Sequence, residues 1–231
     1  MPIKGFQGTS LLDFPGRIAA LVFFGGCNLT CPFCHNPSLV LGPDDLPDYP
    51  VDALLADLGR RRSFIDGVVV SGGEPTLDPH LPDLLREIKT LGLSVKVDTN
   101  ALLPDALQRL IDEQLVDFLA VDLKTSLPRY GELHAGPVDI DALRQGLQIV
   151  LDAPVDHEFR TTCVPGFVER DDILSMAAEI KGARRWVLQQ FVASHALDEH
   201  LREIEPHPAA TVRGFADLAE GTVDEVAVRG L

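Results

Sequence analysis

Ile18-Ala19-Ala20-Leu21-Val22-Phe23-Phe24-Gly25-Gly26-Cys27-Asn28-Leu29-Thr30-Cys31-Pro32-Phe33-Cys34 is the stretch on which the fold and the chemistry turn. Its first seven residues are continuously apolar rather than alternating, which is the pattern of a strand covered on both faces of a parallel sheet. Gly25-Gly26 then lets the backbone turn tightly. Three cysteines follow at spacings of four and three. Thiolates select zinc, copper(I) or iron–sulfur clusters. A closed zinc site needs four ligands, and His35 would serve as the fourth in a small zinc knuckle. The remaining cysteine, Cys163, is far along the chain and sits in an apolar stretch, where a cysteine behaves as a small hydrophobe. On a four-iron cube, three thiolates leave one iron open to bind and activate a ligand, unlike the fully ligated cluster of an electron carrier.

The 231 residues suit one domain. The expected arrangement is a single domain over 1–231, with a core at about 16–195 and a C-terminal extension over 196–231 whose role the sequence leaves open. No stretch approaches the roughly 18 uncharged apolar residues of a membrane helix, and MPIKGFQGTS lacks a signal peptide's apolar core. Four cysteines without an even, dispersed framework argue against a secreted disulfide scaffold, so the expected compartment is a reducing cytoplasm. With 20 Lys plus Arg against 35 Asp plus Glu, the net charge of −15 repels phosphate backbones. The dense basic run Arg60-Arg61-Arg62 reads as a helix end bordering solvent. Neither nucleic acid nor membrane is an expected partner. A protein or a small substrate is.

Along the chain, strands and helices alternate. Residues 5–16 are turn-rich and 37–50 read as an irregular excursion. Helical patterns at 51–62, 81–91, 107–115, 140–151 and 171–181 separate apolar strands at 67–70, 94–97, 118–121, 158–164 and 186–191. With the strand at 18–24 this makes six strand–helix units, an α/β fold with a parallel sheet and helices outside. Val226-Ala227-Val228 is open to two readings, a final strand or part of a docking surface. In parallel α/β barrels the loops after the strands carry the site. The cysteines, Gly72-Gly73-Glu74, Asp98-Thr99, Asp122 with Lys124, and Gln189-Gln190 all fall after strands. Six units rather than eight would leave a barrel open at the side.

The spacing Cys-x-x-x-Cys-x-x-Cys, with aromatic Phe33 before Cys34, resembles the signature of the radical S-adenosylmethionine (SAM) enzymes. Ser71-Gly72-Gly73-Glu74-Pro75 resembles the same family's Gly-Gly-Glu motif. Asp13-Phe14-Pro15-Gly16, Cys34-His35-Asn36, Asp98-Thr99-Asn100, Asp122-Leu123-Lys124 and Val164-Pro165-Gly166 resemble the glycyl-radical-enzyme activases within it, those of anaerobic ribonucleoside-triphosphate reductase and of pyruvate formate-lyase. The resemblance implies an open partial TIM barrel, (β/α)6. It implies a [4Fe-4S] cluster on Cys27, Cys31 and Cys34, whose open iron chelates the amino and carboxylate groups of SAM. Reductive cleavage of SAM then gives a 5′-deoxyadenosyl radical. Phe33 is expected near the adenine, and Gly72, Gly73 and Glu74 at the methionyl ammonium. Lys124 is expected at the SAM carboxylate and His195 at the ribose or carboxylate. Asp98, Thr99 and Asp122 are expected as ligands of a sodium or potassium ion beside SAM. Implied partners are a glycyl-radical enzyme and a low-potential flavodoxin or ferredoxin, in an anaerobic setting.

Two other readings of the same residues stand beside this one. One is a radical SAM enzyme acting on a small molecule or another protein. The other is a non-enzymatic iron–sulfur or zinc-binding module. His134, in the loop beyond Lys124, reads most simply as a solvent-exposed residue.

Overall fold

A computed structural model describes residues 2–231. These residues pack as two compact units. The first holds residues 2–28, Ser38–Thr99 and Asp105–Leu119. The second holds Leu29–Pro37, Asn100–Pro104 and Ala120–Leu231.

In the first unit β1 (Ile3–Ser10), β2 (Ala19–Phe24), β3 (Gly67–Gly72) and β4 (Ser94–Thr99) lie side by side in that order. Apart from β1 against β2, every pairing described in the protein is parallel. Ala19, Ala20 and Val22 of β2 and Val68–Val70 of β3 are fully buried, as the unbroken apolar runs require. Helices α1 (Pro37–Leu41), α2 (Val51–Arg61), α3 (Leu81–Thr90) and α4 (Pro104–Asp112) connect the strands. Leu81, Leu84, Leu85 and Ile88 form the buried stripe of α3, and Leu107, Leu110 and Ile111 that of α4. α2 ends on Arg60 and Arg61, which explains the basic run as a helix terminus.

Two sequence expectations change here. The first part of the stretch 5–16, read as turn-rich, belongs to strand β1 (Ile3–Ser10). A Cβ on Gly8 would lie 2.6 Å from the Arg61 guanidinium carbon, the mobile end of a long side chain, so the strand accommodates the glycines without requiring them. The excursion at 37–50 opens with a short helix, which Pro37 starts at a position where its missing N–H costs nothing.

In the second unit β6 (Asp156–Cys163), β7 (Arg185–Gln190) and β8 (Glu225–Arg229) are parallel neighbours. β5 (Phe118–Asp122) precedes them and runs from one unit's residues into the other's. Val226-Ala227-Val228 is therefore a final strand, seated on Trp186-Val187-Leu188. Helix α5 (Ile140–Asp152) starts at Asp139, whose carboxylate accepts the Ala142 N–H at 2.9 Å. Its Gly146 lets the helix meet the Ala101 carbonyl, which a Cβ would approach to 2.0 Å. Helix α6 (Arg170–Glu179) has a capping box of Glu169 and Asp172, and α7 (Ala209–Ala219) packs on β7, β8 and α6. No helix of the described residues is long and apolar enough to cross a membrane.

Candidate active site

In the first unit the site is built by the turn after β3. Gly72 has φ +123°, and a Cβ there would stand 2.3 Å from the Phe24 backbone nitrogen and oxygen. One on Gly73 would stand 1.8 Å from the Gly26 carbonyl oxygen. Only glycine fits either place. The contact is bonded as well as close, since the Gly73 N–H donates to the Phe24 carbonyl and the Glu74 N–H to the Gly26 carbonyl, each at 2.8 Å. The segment that leads into Cys27 is thus clamped onto the Gly-Gly-Glu turn.

Glu74 is 2% exposed. Its Oε1 accepts the Thr76 N–H at 3.1 Å, the Thr76 hydroxyl at 2.5 Å and the Thr99 hydroxyl at 2.9 Å. This oxygen holds the β3 turn to the end of β4. Beside the turn lies a cleft of about 340 Å³ lined by Phe24, Gly25, Glu74, Leu77, Asp78 and His80. Asp98 pairs with Lys96 at 2.8 Å, and Lys96 is 0% exposed with its ammonium 5.8 Å from the centre of the Phe118 ring.

The second unit gathers the remaining groups around Cys31 and Cys34. The Cys34 N–H donates to the Cys31 carbonyl at 2.9 Å, which folds the three-residue step into a turn. None of the chain's cysteines is in a disulfide, and Cys31 is buried. Burial pushes its thiol above the ordinary value, while the neighbouring Lys124 ammonium pulls it back and Cys34 and Asp122 add to the rise. Lys124 Nζ stands 3.6 Å from Asp122 Oδ2, and Arg160 donates to Asp122 Oδ1 at 3.0 Å through Nε. The Lys124 backbone N–H donates to the hydroxyl of fully buried Tyr130 at 3.0 Å.

Phe33 is buried with its ring edge-on to Phe167 at 5.4 Å, so the ring itself holds the cysteine loop to the loop after β6. His35 is half-buried, and its Nε2 has no hydrogen-bond partner among the described residues. Burial lowers its imidazole first, and the charges of His195 and Lys124 lower it further. The His195 ring is exposed and lies 6.4 Å from that of His35. The loop is also gripped from two sides. Thr30 Oγ1 lies 3.0 Å from His134 Nδ1, and the Asp198 N–H donates to the Pro32 carbonyl at 2.8 Å. His134 is therefore no free surface histidine. Nothing in the sequence marks this partner, because the two residues are 104 apart.

The predicted residues thus fall into two sets. Cys27, Gly72, Gly73, Glu74, Asp98 and Thr99 belong to the first unit, and Cys31, Phe33, Cys34, Asp122, Lys124 and His195 to the second. The three oxygen residues expected at a monovalent cation already have partners: Lys96 for Asp98, Glu74 for Thr99, Arg160 and Lys124 for Asp122. Among the described residues no three His, Cys, Asp or Glu side chains converge as ligands of a single ion. Cys27, Cys31 and Cys34 are free thiols, one donor short of a closed tetrahedral zinc set, and a donor set of thiolates fits an iron–sulfur cluster.

The model of the radical SAM superfamily matches residues 21–177, a span that contains all three cysteines, the Gly-Gly-Glu turn and Lys124. The chain belongs to this superfamily, and it is an enzyme of that kind, whose family cofactors are a [4Fe-4S] cluster and SAM. It is 30% identical over 232 residues to a candidate glycyl-radical enzyme activating enzyme of Methanocaldococcus jannaschii, a match covering 98% of this chain and 95% of that protein. It is 38% identical over 104 residues to the pyruvate formate-lyase-activating enzyme of Clostridium pasteurianum, covering 42% of each. Among solved structures, SuiB of Streptococcus suis bound to S-adenosylmethionine superposes with a TM-score of 0.69 at 16% identity, over 91% of this chain and 52% of that one. The expected α/β class with parallel strands and outer helices is the fold of this family.

Proposed function

We propose that this chain is a glycyl-radical-enzyme activase. The observation that carries the reading is the end-to-end likeness to the candidate activating enzyme of Methanocaldococcus jannaschii, which spans 98% of this chain. On this reading residues 1–231 work as one radical SAM domain, with 196–231 as its extension. Cys27, Cys31 and Cys34 would hold the cluster through their thiolates. When bound, cluster and SAM supply one-electron cleavage of SAM to methionine and a 5′-deoxyadenosyl radical, which takes a hydrogen atom from a glycine α-carbon of the partner and leaves a glycyl radical.

The protein's own residues bind and orient. The Lys124 ammonium offers its charge to the SAM carboxylate, supported by its charge acting on the Cys31 thiol. The Gly72 and Gly73 backbone receives the methionyl ammonium. Glu74 Oε1 serves this indirectly by fixing the turn. Buried Cys31 and Phe33 keep water from the reacting centre. His195 reaches the ribose from the surface beside His35.

The partner that the motif likeness favours is anaerobic ribonucleoside-triphosphate reductase, with a low-potential flavodoxin or ferredoxin as electron donor in the cytoplasm. A sodium or potassium ion on Asp98, Thr99 and Asp122 has weaker support, because Lys96 already supplies a positive charge to Asp98.

The test is anaerobic reconstitution, reduction and assay of 5′-deoxyadenosine, followed by electron paramagnetic resonance after mixing with candidate glycyl-radical enzymes. A glycyl doublet is expected. SAM cleavage without a doublet on any partner would replace the activase reading with a small-molecule reaction, and a protein loaded with iron that cleaves no SAM would refute both.

A further inference from the structure

The step from Cys27 to Cys31 carries three residues, Asn28, Leu29 and Thr30, and these set how far apart two of the cluster thiolates can stand. A loop of this length has many conformations when free, and each one lost on binding a cluster costs affinity. Leu29 and Thr30 are tied down within the second unit. Leu29 is 1% exposed, and Thr30 Oγ1 lies 3.0 Å from His134 Nδ1. His134 follows the turn Leu127–Glu132, which is itself pinned. Arg129 of that turn pairs with the Asp172 carboxylate at 2.9 Å, and the Tyr130 hydroxyl accepts the Lys124 N–H at 3.0 Å. The His134 ring is thus held on a braced segment rather than a loose one, and its hydrogen bond transmits that rigidity to the residue immediately before Cys31.

We infer that His134 is a positioning residue for the cluster: through Thr30 it fixes Leu29-Thr30-Cys31 in the conformation that presents the Cys31 thiolate to iron. It touches neither SAM nor the reacting atoms. Groups outside the ligand set commonly change metal affinity 10- to 100-fold when removed, because they orient the ligands. The inference rests on cluster binding by Cys27, Cys31 and Cys34, and is independent of which partner receives the radical.

The test uses the reconstituted protein under anaerobic conditions. Iron release to a chromogenic chelator is followed for wild type, His134→Ala, Thr30→Val, the double variant and His134→Asn, whose side-chain amide can take the place of Nδ1. The two single variants are expected to lose iron about tenfold faster, the double variant no faster than either single one, and His134→Asn close to wild type. The electron paramagnetic resonance signal of the reduced cluster with SAM should shift in the singles and return in His134→Asn. Unfolding midpoints of the iron-free proteins separate positioning from general stability. Unchanged iron release, additive effects in the double variant, or loss tracking a lower midpoint of the iron-free protein would each overturn the inference. Should wild type itself take up no iron, the cluster assignment fails first, and that outcome is read directly from its iron content.

Discussion

The Thr99 hydroxyl donates to Glu74 Oε1 at 2.9 Å, joining the last residue of β4 to the turn that follows β3. The carboxylate is 2% exposed and also accepts two bonds from Thr76. A hydrogen bond to a charged group contributes about 1.5–3 kcal/mol. Thr99→Val is therefore expected to lower the unfolding free energy by about 2 kcal/mol, measured by urea titration of the iron-free protein. SAM cleavage at saturating SAM should persist, because the two Thr76 bonds still hold the turn. An equal loss with Thr76→Val and full retention with Thr99→Val would place the brace in the turn alone.

Lys96 and Asp98 form a buried ion pair at 2.8 Å, with the ammonium 0% exposed. Removing one partner of a buried, charge-assisted hydrogen bond costs about 1.5–3 kcal/mol, whereas an apolar replacement of both partners is often neutral. Lys96→Met should destabilise the protein strongly and Lys96→Met with Asp98→Leu should recover most of the loss. Potassium titration also tests the pair. If Lys96 is the positive charge Asp98 needs, added potassium should leave wild-type stability unchanged and raise that of Lys96→Met.

How far these features were legible follows from the range of the interactions. Val68–Val70 and the cysteine spacing could be read directly, because burial on two faces and ligand spacing are local properties of the chain. The Gly-Gly-Glu turn was legible as a motif, but not the 1.8 Å approach that forbids a Cβ on Gly73. β1 was misread because the polar, glycine-containing run shows no apolar strand pattern, and only its pairing with β2, a tertiary property, makes it a strand. Lys96 was passed over since a charged residue between Val95 and Val97 suggests an outward position. Its partner Asp98, two residues on and on the same face of the strand, is what permits burial. His134 and Thr30 meet across 104 residues, beyond anything periodicity can report.

Cys163 provides a pH test. Burial raises its thiol from 9.0 to about 12. The folded state keeps this proton more tightly than the unfolded chain does. The contribution to stability is then complete below about pH 9 and declines as pH rises toward 12. Wild-type iron-free protein should lose stability more steeply between pH 8.5 and about 10.5 than Cys163→Ala does. The variant should also be slightly less stable at pH 7, since it gives up a small packed side chain. Parallel pH slopes for the two proteins would remove Cys163 as the source.

Lys124 stands at the junction of structure and chemistry, with its backbone N–H on the Tyr130 hydroxyl and its ammonium 3.6 Å from Asp122 and within electrostatic reach of Cys31. If the ammonium receives the SAM carboxylate, it binds a part of SAM that keeps its charge throughout the reaction. An interaction equally strong in the ground and transition states affects KM and leaves kcat unchanged. Lys124→Met should therefore raise the KM for SAM about 10- to 100-fold, the equivalent of one charge-assisted hydrogen bond, with kcat within about twofold of wild type. Lys124→Arg should fall between, because the charge is kept but the planar guanidinium cannot stand in the same place. The measurement is 5′-deoxyadenosine formation across a range of SAM concentrations, alongside the iron content of each variant. A fall in kcat at unchanged KM would instead assign Lys124 to the cysteine site, where its charge already offsets the burial of Cys31.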